Sequence, residues 1–312
     1  MNNYKYTFIL PAYKARYLKA ALETIQNQTY GDFRVVVSDD CSPEDLFSIC
    51  KPYLEDERFD YVRNVINIGG KNLVNHWNLL LERVQTPYFI LASDDDVYDV
   101  DFLEKMNGLV ERYPTVNVFR ARARRIERGE VVQEDGVYEE KVSQLQFIAQ
   151  CYNNFFVPGI PNYIFKTEAV KDQGGFYFLP YAWASDFVTL IKTAENGLVN
   201  SREMLFSSRL SDINITGGGK DNSAVCKEKA LALLDYDKWM KGLLAGYKPA
   251  SSLENYLIWF CRMSHREYVR GMVRSSFRKM GWKEYLSIAR RCAATEHIPG
   301  FYHFFYLASK FL

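Results

Sequence analysis

Two tight aspartate clusters stand out, Asp39-Asp40 and Asp94-Asp95-Asp96, each directly after a short apolar run. Adjacent carboxylates repel one another, and nearby apolar burial raises the cost. A divalent cation relieves that repulsion, and a donor set made of oxygens suits magnesium or manganese. The competing reading of 94–96 is an Asx-rich turn that caps a following helix at 101–113. Other phosphate-binding devices are missing from the sequence: no GxxxxGK[ST] loop occurs and no GxGxxG follows the first apolar run. Nor is there a GxSxG elbow for a hydrolase. What remains is a nucleoside-diphosphate ligand held by a metal rather than by a glycine loop.

Such clusters need a scaffold, and the first hundred residues supply one. Apolar runs at 6–10, 33–37, 59–63 and 88–92 read as strands. Leu18, Leu22 and Ile25 recur at i, i+4 and i+7 and predict a helix over 16–28. A second helix is expected after Ser42-Pro43-Glu44-Asp45, with Ser42 as its N-cap, and a third over 73–84. This alternation predicts an α/β fold, a mostly parallel sheet flanked by helices. Ligands of such sheets bind at the carboxyl ends of the strands. That places Pro11-Ala12-Tyr13, 38–42 and 93–96 along one edge. Further on, a strand is expected at 116–123, a hairpin-like piece at 130–137 and a helix at 143–151. Beyond 222 helical periodicity dominates, so the reading is a catalytic-type domain at 1–222 and a helical region at 223–312.

Composition bounds the rest. Of 312 residues, 48% are hydrophobic and 25% charged, as in a soluble globular chain. No apolar run approaches the roughly 20 residues of a membrane span, and no basic-then-apolar leader opens the chain, so a cytoplasmic location is expected. Six cysteines are dispersed without a CxxC pair, which favours reduced, mostly buried thiols. The net charge of +1 argues against nucleic acid, but the average hides an asymmetry. Residues 223–312 hold 15 Lys+Arg and 7 Asp+Glu, a balance of +8, which leaves −7 for the remainder. Arg262, Arg266, Arg270, Arg274 and Arg278 recur every four residues as a ridge. Trp259, Phe260, Tyr268, Met272, Val273, Phe277, Met280 and Trp282 are interleaved with it, and an aromatic run follows at 301–306. The pattern suits an anionic membrane surface; the plainer reading packs the aromatics inward and leaves the arginines solvated.

Several pieces, in this order, resemble the inverting glycosyltransferases of family 2, which share the GT-A fold. They are Ile9-Leu10-Pro11-Ala12-Tyr13, Gln28-Thr29-Tyr30-Gly31-Asp32-Phe33, Val37-Ser38-Asp39-Asp40-Cys41-Ser42, Asn67-Ile68-Gly69 and the run from Tyr88 to Asp96. Gly174-Gly175-Phe176 followed by Ser185-Asp186-Phe187 is similar to the acceptor-side segment, and 209–216 to a late Arg…Asn…Ser/Thr loop. The resemblance covers about residues 5–220. It implies transfer of a sugar from a nucleotide-diphosphate donor, most commonly a UDP-sugar, to a hydroxyl of a glycan or lipid-linked saccharide in cell-surface polysaccharide synthesis, with Mn2+ or Mg2+.

The same resemblance assigns roles. Pro11, Ala12 and Tyr13 are placed against the nucleotide base, with Asp40 accepting from an imide N–H and Asp39 orienting the loop. Asp94, Asp95 and Asp96 match the DXD signature in either of two alignments. Asp96 or Asp95 would ligate the cation, with Asp94 nearer the ribose. Asp186 falls at the catalytic base, against an N-cap role for a helix at 187–194. Trp183 is a candidate to stack on a sugar face. Lys71 and Arg209 are candidate diphosphate contacts, against plain solvation. His76 reads as a structural histidine. The Gly217-Gly218-Gly219 segment is expected to be a flap over the donor. Two other classes compete, a nucleotidyltransferase that makes nucleotide-sugars and a non-catalytic nucleotide-sugar or carbohydrate binder. The first lacks a glycine- and lysine-rich N-terminal loop, and the second would be expected to lose some of these acids.

Overall fold

The computed structural model describes residues 4–211 and 222–293. The expected flap around Gly217-Gly218-Gly219 and the aromatic run at 301–306 lie outside them. Residues Met1–Tyr177 and Asp186–Ser211 form one compact unit; Phe178–Ser185 and the chain from Asp212 onward form a second.

The first unit is built on β1 (Tyr6–Ala12), β2 (Phe33–Asp39), β3 (Phe59–Arg63), β4 (Tyr88–Leu91), β5 (Val97–Tyr98), β6 (Val118–Glu127), β7 (Glu130–Glu134), β8 (Lys141–Val142), β9 (Tyr163–Lys166) and β10 (Leu198–Leu210). Among the described residues these make one sheet with the path β3-β2-β1-β4-β9-β6-β10-β5, β7 and β8 pairing at its margins. The pairs β3–β2, β2–β1, β1–β4 and β6–β10 are parallel, while β9 runs antiparallel to both β4 and β6. β1 is buried along nearly its whole length, as expected for a parallel strand covered on both faces. The helices are α1 (Leu18–Gln26), α2 (Leu46–Cys50), α3 (Gly69–Glu82), α4 (Phe102–Arg112), α5 (Gln144–Cys151), α6 (Thr167–Asp172) and α7 (Ser185–Thr193). α1 buries Leu18, Ala21, Leu22 and Ile25, the stripe read from the sequence.

Two helix starts differ from expectation. α2 is capped by Asp45, whose carboxylate accepts from Ser48 N at 3.1 Å, and not by Ser42. Ser42 is held elsewhere: its hydroxyl donates to Tyr13 O at 2.7 Å and its amide donates to Asp39. α3 begins at Gly69, four residues before the expected start, with a local departure from helical geometry at Asn72. The sequence also gave no sign of β9 or of the 13-residue β10.

The second unit holds α8 (Ser223–Gly246), α9 (Ser252–Lys279) and α10 (Trp282–Ala293). Asn222 and Ser251 cap the first two through their side chains. A buried hydrogen bond, His265 Nε2 to Asp237 Oδ1 at 3.1 Å, ties α9 to α8. Val273, Phe277 and Met280 turn inward, and Phe277 meets Tyr285 of α10 edge-on at 5.2 Å. These three are therefore not part of any outward apolar face.

In the first unit Arg120 is fully buried. It donates to both oxygens of Asp135 at 2.9 and 2.7 Å, to Tyr163 Oη and to Val157 O, while Asp135 also accepts from Ala123 N and Val157 N. Removing one member of a buried ion pair leaves an uncompensated charge. Asp135→Ala is therefore expected to destabilise the protein by about 3–5 kcal/mol, read as a lower urea midpoint at unchanged slope.

Candidate active site

The chain runs outward from β1 to β2 and β3, then returns to the opposite side of β1 as β4. That reversal opens a crevice at the carboxyl ends of β1 and β4. The loops after β1, β2 and β4 and the end of β10 are stitched together there, and carboxylates do most of the stitching.

Asp39, the last residue of β2, is fully buried. It accepts from Tyr61 Oη at 2.6 Å and from Ser42 N at 2.7 Å, and it pairs with Arg63. Asp40 reaches across to the segment after β3. Its Oδ1 accepts from Asn64 Nδ2 at 2.8 Å and Ile68 N at 2.9 Å, and its Oδ2 from Gly69 N at 2.7 Å. A Cβ at Gly69 would sit 2.9 Å from Asp40 Oδ2, so a larger residue there would displace the Asp40 carboxylate from this approach. Asp40 thus caps α3 from 29 residues away, which explains the early start of that helix. Each carboxylate oxygen has two lone pairs, so Oδ2, with one amide donor, keeps acceptor capacity for a ligand N–H. His76 is buried beneath, with Nε2 at 2.9 Å from Ser38 Oγ, and burial pushes its pKa down. It is a structural histidine.

The three aspartates after β4 face three different ways. Asp94 Oδ2 accepts from the amides of Tyr13 and Lys14, both at 2.9 Å, which fixes the loop after β1. Asp96 is buried; it accepts from Ser93 Oγ at 2.6 Å and from Arg209 N at 2.8 Å. The antiparallel register of β5 on β10, with Ser207 opposite Val97, brings Arg209 to this turn. Arg209 Nε donates to Asp95 O at 2.9 Å, and its guanidinium lies 4.4 Å over the Tyr17 ring. The Asp95 carboxylate faces Lys14 Nζ at 3.8 Å. Among the described residues no three His, Cys, Asp or Glu side chains converge as a complete metal cage. The donor chemistry nonetheless fits a cation held by one or two carboxylates and completed by phosphate oxygens. Burial and the neighbouring Asp95 push Asp96 up to about 7, and burial and Asp94 raise Asp95. This turn carries more negative charge than its surroundings neutralise.

The remaining candidates separate. Pro11 and Ala12 line the end of β1, Ala12 O accepts from Asp40 N at 2.9 Å, and Tyr13 is 40% exposed. Lys71 is solvent-exposed on α3. Arg209 buttresses the aspartate turn. Asp186 lies in the first turn of α7, one residue into the helix, and its Oδ1 accepts from Phe187 N at 2.9 Å. α7 is tied to the preceding segment by Tyr177 N donating to Thr189 Oγ1 at 2.9 Å. Phe176 beside it packs against Phe89 of β4 and Trp77 of α3. Burial pushes Asp186 up to about 6. Trp183 belongs to the second unit, where Lys229 Nζ lies 4.2 Å over its ring. Sequence reasoning gave no site role to Lys14, Tyr17 or Arg63, whose partners Asp95, Arg209 and Asp39 lie 81, 192 and 24 residues away, beyond any local spacing.

A model of the family described as Glycosyl transferase family 2 matches residues 7–174. The chain is 33% identical over 112 residues to a teichoic acid poly(glycerol phosphate) polymerase of Staphylococcus epidermidis, covering 33% of this chain and 15% of that protein. It is 31% identical over 117 residues to the putative teichuronic acid biosynthesis glycosyltransferase TuaG of Bacillus subtilis, covering 36% of this chain and 45% of that protein. The chain thus spans less than half the length of either relative. Among solved structures, S. aureus TarS 1-349 in complex with UDP-GlcNAc aligns with a TM-score of 0.64 at 15% identity, over 93% of this chain and 83% of that one. The mannosyltransferase PcManGT from Pyrobaculum calidifontis, in complex with GDP-Man and Mn2+, aligns with a TM-score of 0.55 at 15% identity, over 98% and 84%. At these identities the likeness shows the fold, the GT-A type.

The raised pKa of Asp186 has a stability consequence. Its folded value, about 6, lies above the ordinary 3.8, so the folded state binds the proton more tightly and the partly buried charge destabilises it as pH rises through that window. Asp186→Asn is expected to raise the melting temperature at pH 7.5, with the gain shrinking to nearly nothing by pH 4. A scanning calorimetry series over pH checks this.

Proposed function

Because the chain belongs to glycosyl transferase family 2, we propose that it moves a sugar from a nucleotide-diphosphate donor, a UDP-sugar, to a hydroxyl of a glycan or lipid-linked saccharide in cell-surface polysaccharide synthesis. The observation that carries this reading is the gathering of Asp40, Tyr13 and the 94–96 turn at one crevice of the sheet. TarS with UDP-GlcNAc, which shares the fold, supports the choice of donor.

The residues divide the work by their chemistry. Tyr13 offers a flat apolar wall to the base, and Asp40 offers an acceptor to an imide N–H. Asp95 and Asp96 would hold Mn2+ or Mg2+, with Asp94 on the ribose side. When bound, the cation supplies Lewis-acid neutralisation of the departing diphosphate. Lys14 and Arg209 add positive charge beside the same turn. Asp186 takes the proton of the acceptor hydroxyl as that oxygen bonds to the anomeric carbon. The bond from that carbon to the diphosphate oxygen breaks, its electron pair leaves with the nucleoside diphosphate, and configuration inverts. A base with pKa about 6 is ionised at neutral pH yet retains proton affinity.

The exposed residues of the second unit support a location for this reading. Tyr256, Trp259 and Met263 are exposed on α9, and Arg262, Arg266, Arg274 and Arg278 are exposed further along it, with Arg270 half-buried. Among the described residues no helix is long and apolar enough to cross a membrane. An anionic membrane surface, on the inner face of the cell membrane, suits this exposed aromatic and basic set.

Three outcomes test this reading. UDP binding, measured calorimetrically, should be strengthened by manganese, and Asp96→Ala should weaken that manganese-dependent affinity by at least about tenfold. Asp186→Asn should keep UDP affinity while transfer falls by about 10²–10⁴. Wild-type kcat/KM should drop about tenfold per unit below pH 6. Near-native transfer by Asp186→Asn would remove the base assignment. For the location, the full chain should co-sediment with phosphatidylglycerol vesicles at low salt and be released at high salt. Indifference to vesicle charge would remove the membrane proposal and leave the chemistry standing.

A further inference from the structure

The loop at 178–185 is the most strained stretch of backbone among the described residues. Tyr181, Ala182 and Ala184 have φ of 57°, 54° and 64°, a left-handed region that residues with a Cβ seldom occupy. Three in a span of four persist only where surrounding contacts over-determine them. The loop's own hydrogen bonds supply part of this. Ala182 N donates to Leu179 O at 3.0 Å, Trp183 N to Pro180 O at 3.1 Å, and Leu179 N to Ser185 Oγ at 3.0 Å. The rest comes from α8, in the same unit. Lys229 is only 4% exposed, and its Nζ lies 4.2 Å over the Trp183 ring and 5.5 Å over the Tyr181 ring. A cation between two ring faces is attracted to both, most strongly where water is excluded. Phe178 and Tyr181 meanwhile remain 58% and 42% exposed, so the loop presents aromatic surface outward.

We propose that Lys229 is a positioning residue: its ammonium group, set between the rings of Trp183 and Tyr181, holds the 178–185 loop in the strained shape from which α7 and Asp186 depart. The inference rests on the transferase reading only for its kinetic consequence. Lys229 takes one face of the Trp183 ring, and Phe178 and Tyr181 form exposed aromatic surface of the loop. A lysine of α8 thus fixes the backbone three to five residues ahead of Asp186 in the chain.

Amide hydrogen exchange of the full-length chain, without substrate, tests the contact directly. Lys229→Met keeps the length and removes the charge, while Lys229→Arg keeps a cation able to stack on a ring. In Lys229→Met the amides of Leu179, Ala182 and Trp183 should exchange at least about tenfold faster, with the interior of α8 as protected as before. Lys229→Arg should restore most of the protection. Kinetically, Lys229→Met should bind UDP as wild type does but raise the acceptor KM and lower kcat, with partial rescue by arginine. Unchanged exchange at 179–183 in Lys229→Met would overturn the proposal, and so would equal loosening by methionine and arginine. Exchange is read without ligand, so a chain that bound no UDP would overturn the donor assignment while this contact stood or fell separately.

Discussion

A carboxylate taken out of water must be met by hydrogen-bond donors or positive charge, or the fold is penalised by several kcal/mol. Four aspartates at one edge of the sheet, Asp39, Asp40, Asp94 and Asp96, are nearly inaccessible to solvent. Each therefore draws in donors, and those donors come from other parts of the chain: Arg63 and Tyr61, Ile68 and Gly69, Tyr13 and Lys14, and Arg209. The loops of the crevice are shaped by this requirement. The apolar core beneath, from Phe8 and Phe33 to Tyr98 and Phe206, holds the strands in register but says nothing about how their ends are joined.

The same requirement separates the aspartates by role. Asp39 and Asp94 are engaged chiefly in holding loops. Asp96 is buried with fewer donors than its charge calls for, and Asp95 beside it faces a lysine at 3.8 Å. On the proposed reading, a divalent cation beside this pair would supply positive charge and relieve the repulsion between the two carboxylates.

Asp186 is perturbed by a different route. It has no charged partner among the causes of its shift; desolvation sets its pKa. A carboxylate raised in this way makes the folded protein less stable at neutral pH and holds a proton more tightly, as groups at functional sites often do. The strained backbone just ahead of it, at Tyr181, Ala182 and Ala184, is a second local cost concentrated in the same stretch of chain.

Much of the fold was legible because it is local. The stripe Leu18, Leu22 and Ile25, the β-branched run of β2 and the alternation of strands and helices each follow from periodicity within a dozen residues. The aspartate clusters stood out for the same reason, since like charges side by side need an explanation wherever they fold. β9 and β10 were not legible, because a strand's pairing partner lies far away in sequence and its pattern of burial is set by that partner. The start of α3 depended on Asp40, 29 residues earlier, and the place of Ser42 on Tyr13 across the crevice. Sequence by itself determined which residues carry charge, stiffness and helical period. Tertiary structure alone decided which carboxylate meets which donor, because burial and distance, and not residue type, fix whether an aspartate is held by backbone amides, by a guanidinium or by a hydroxyl.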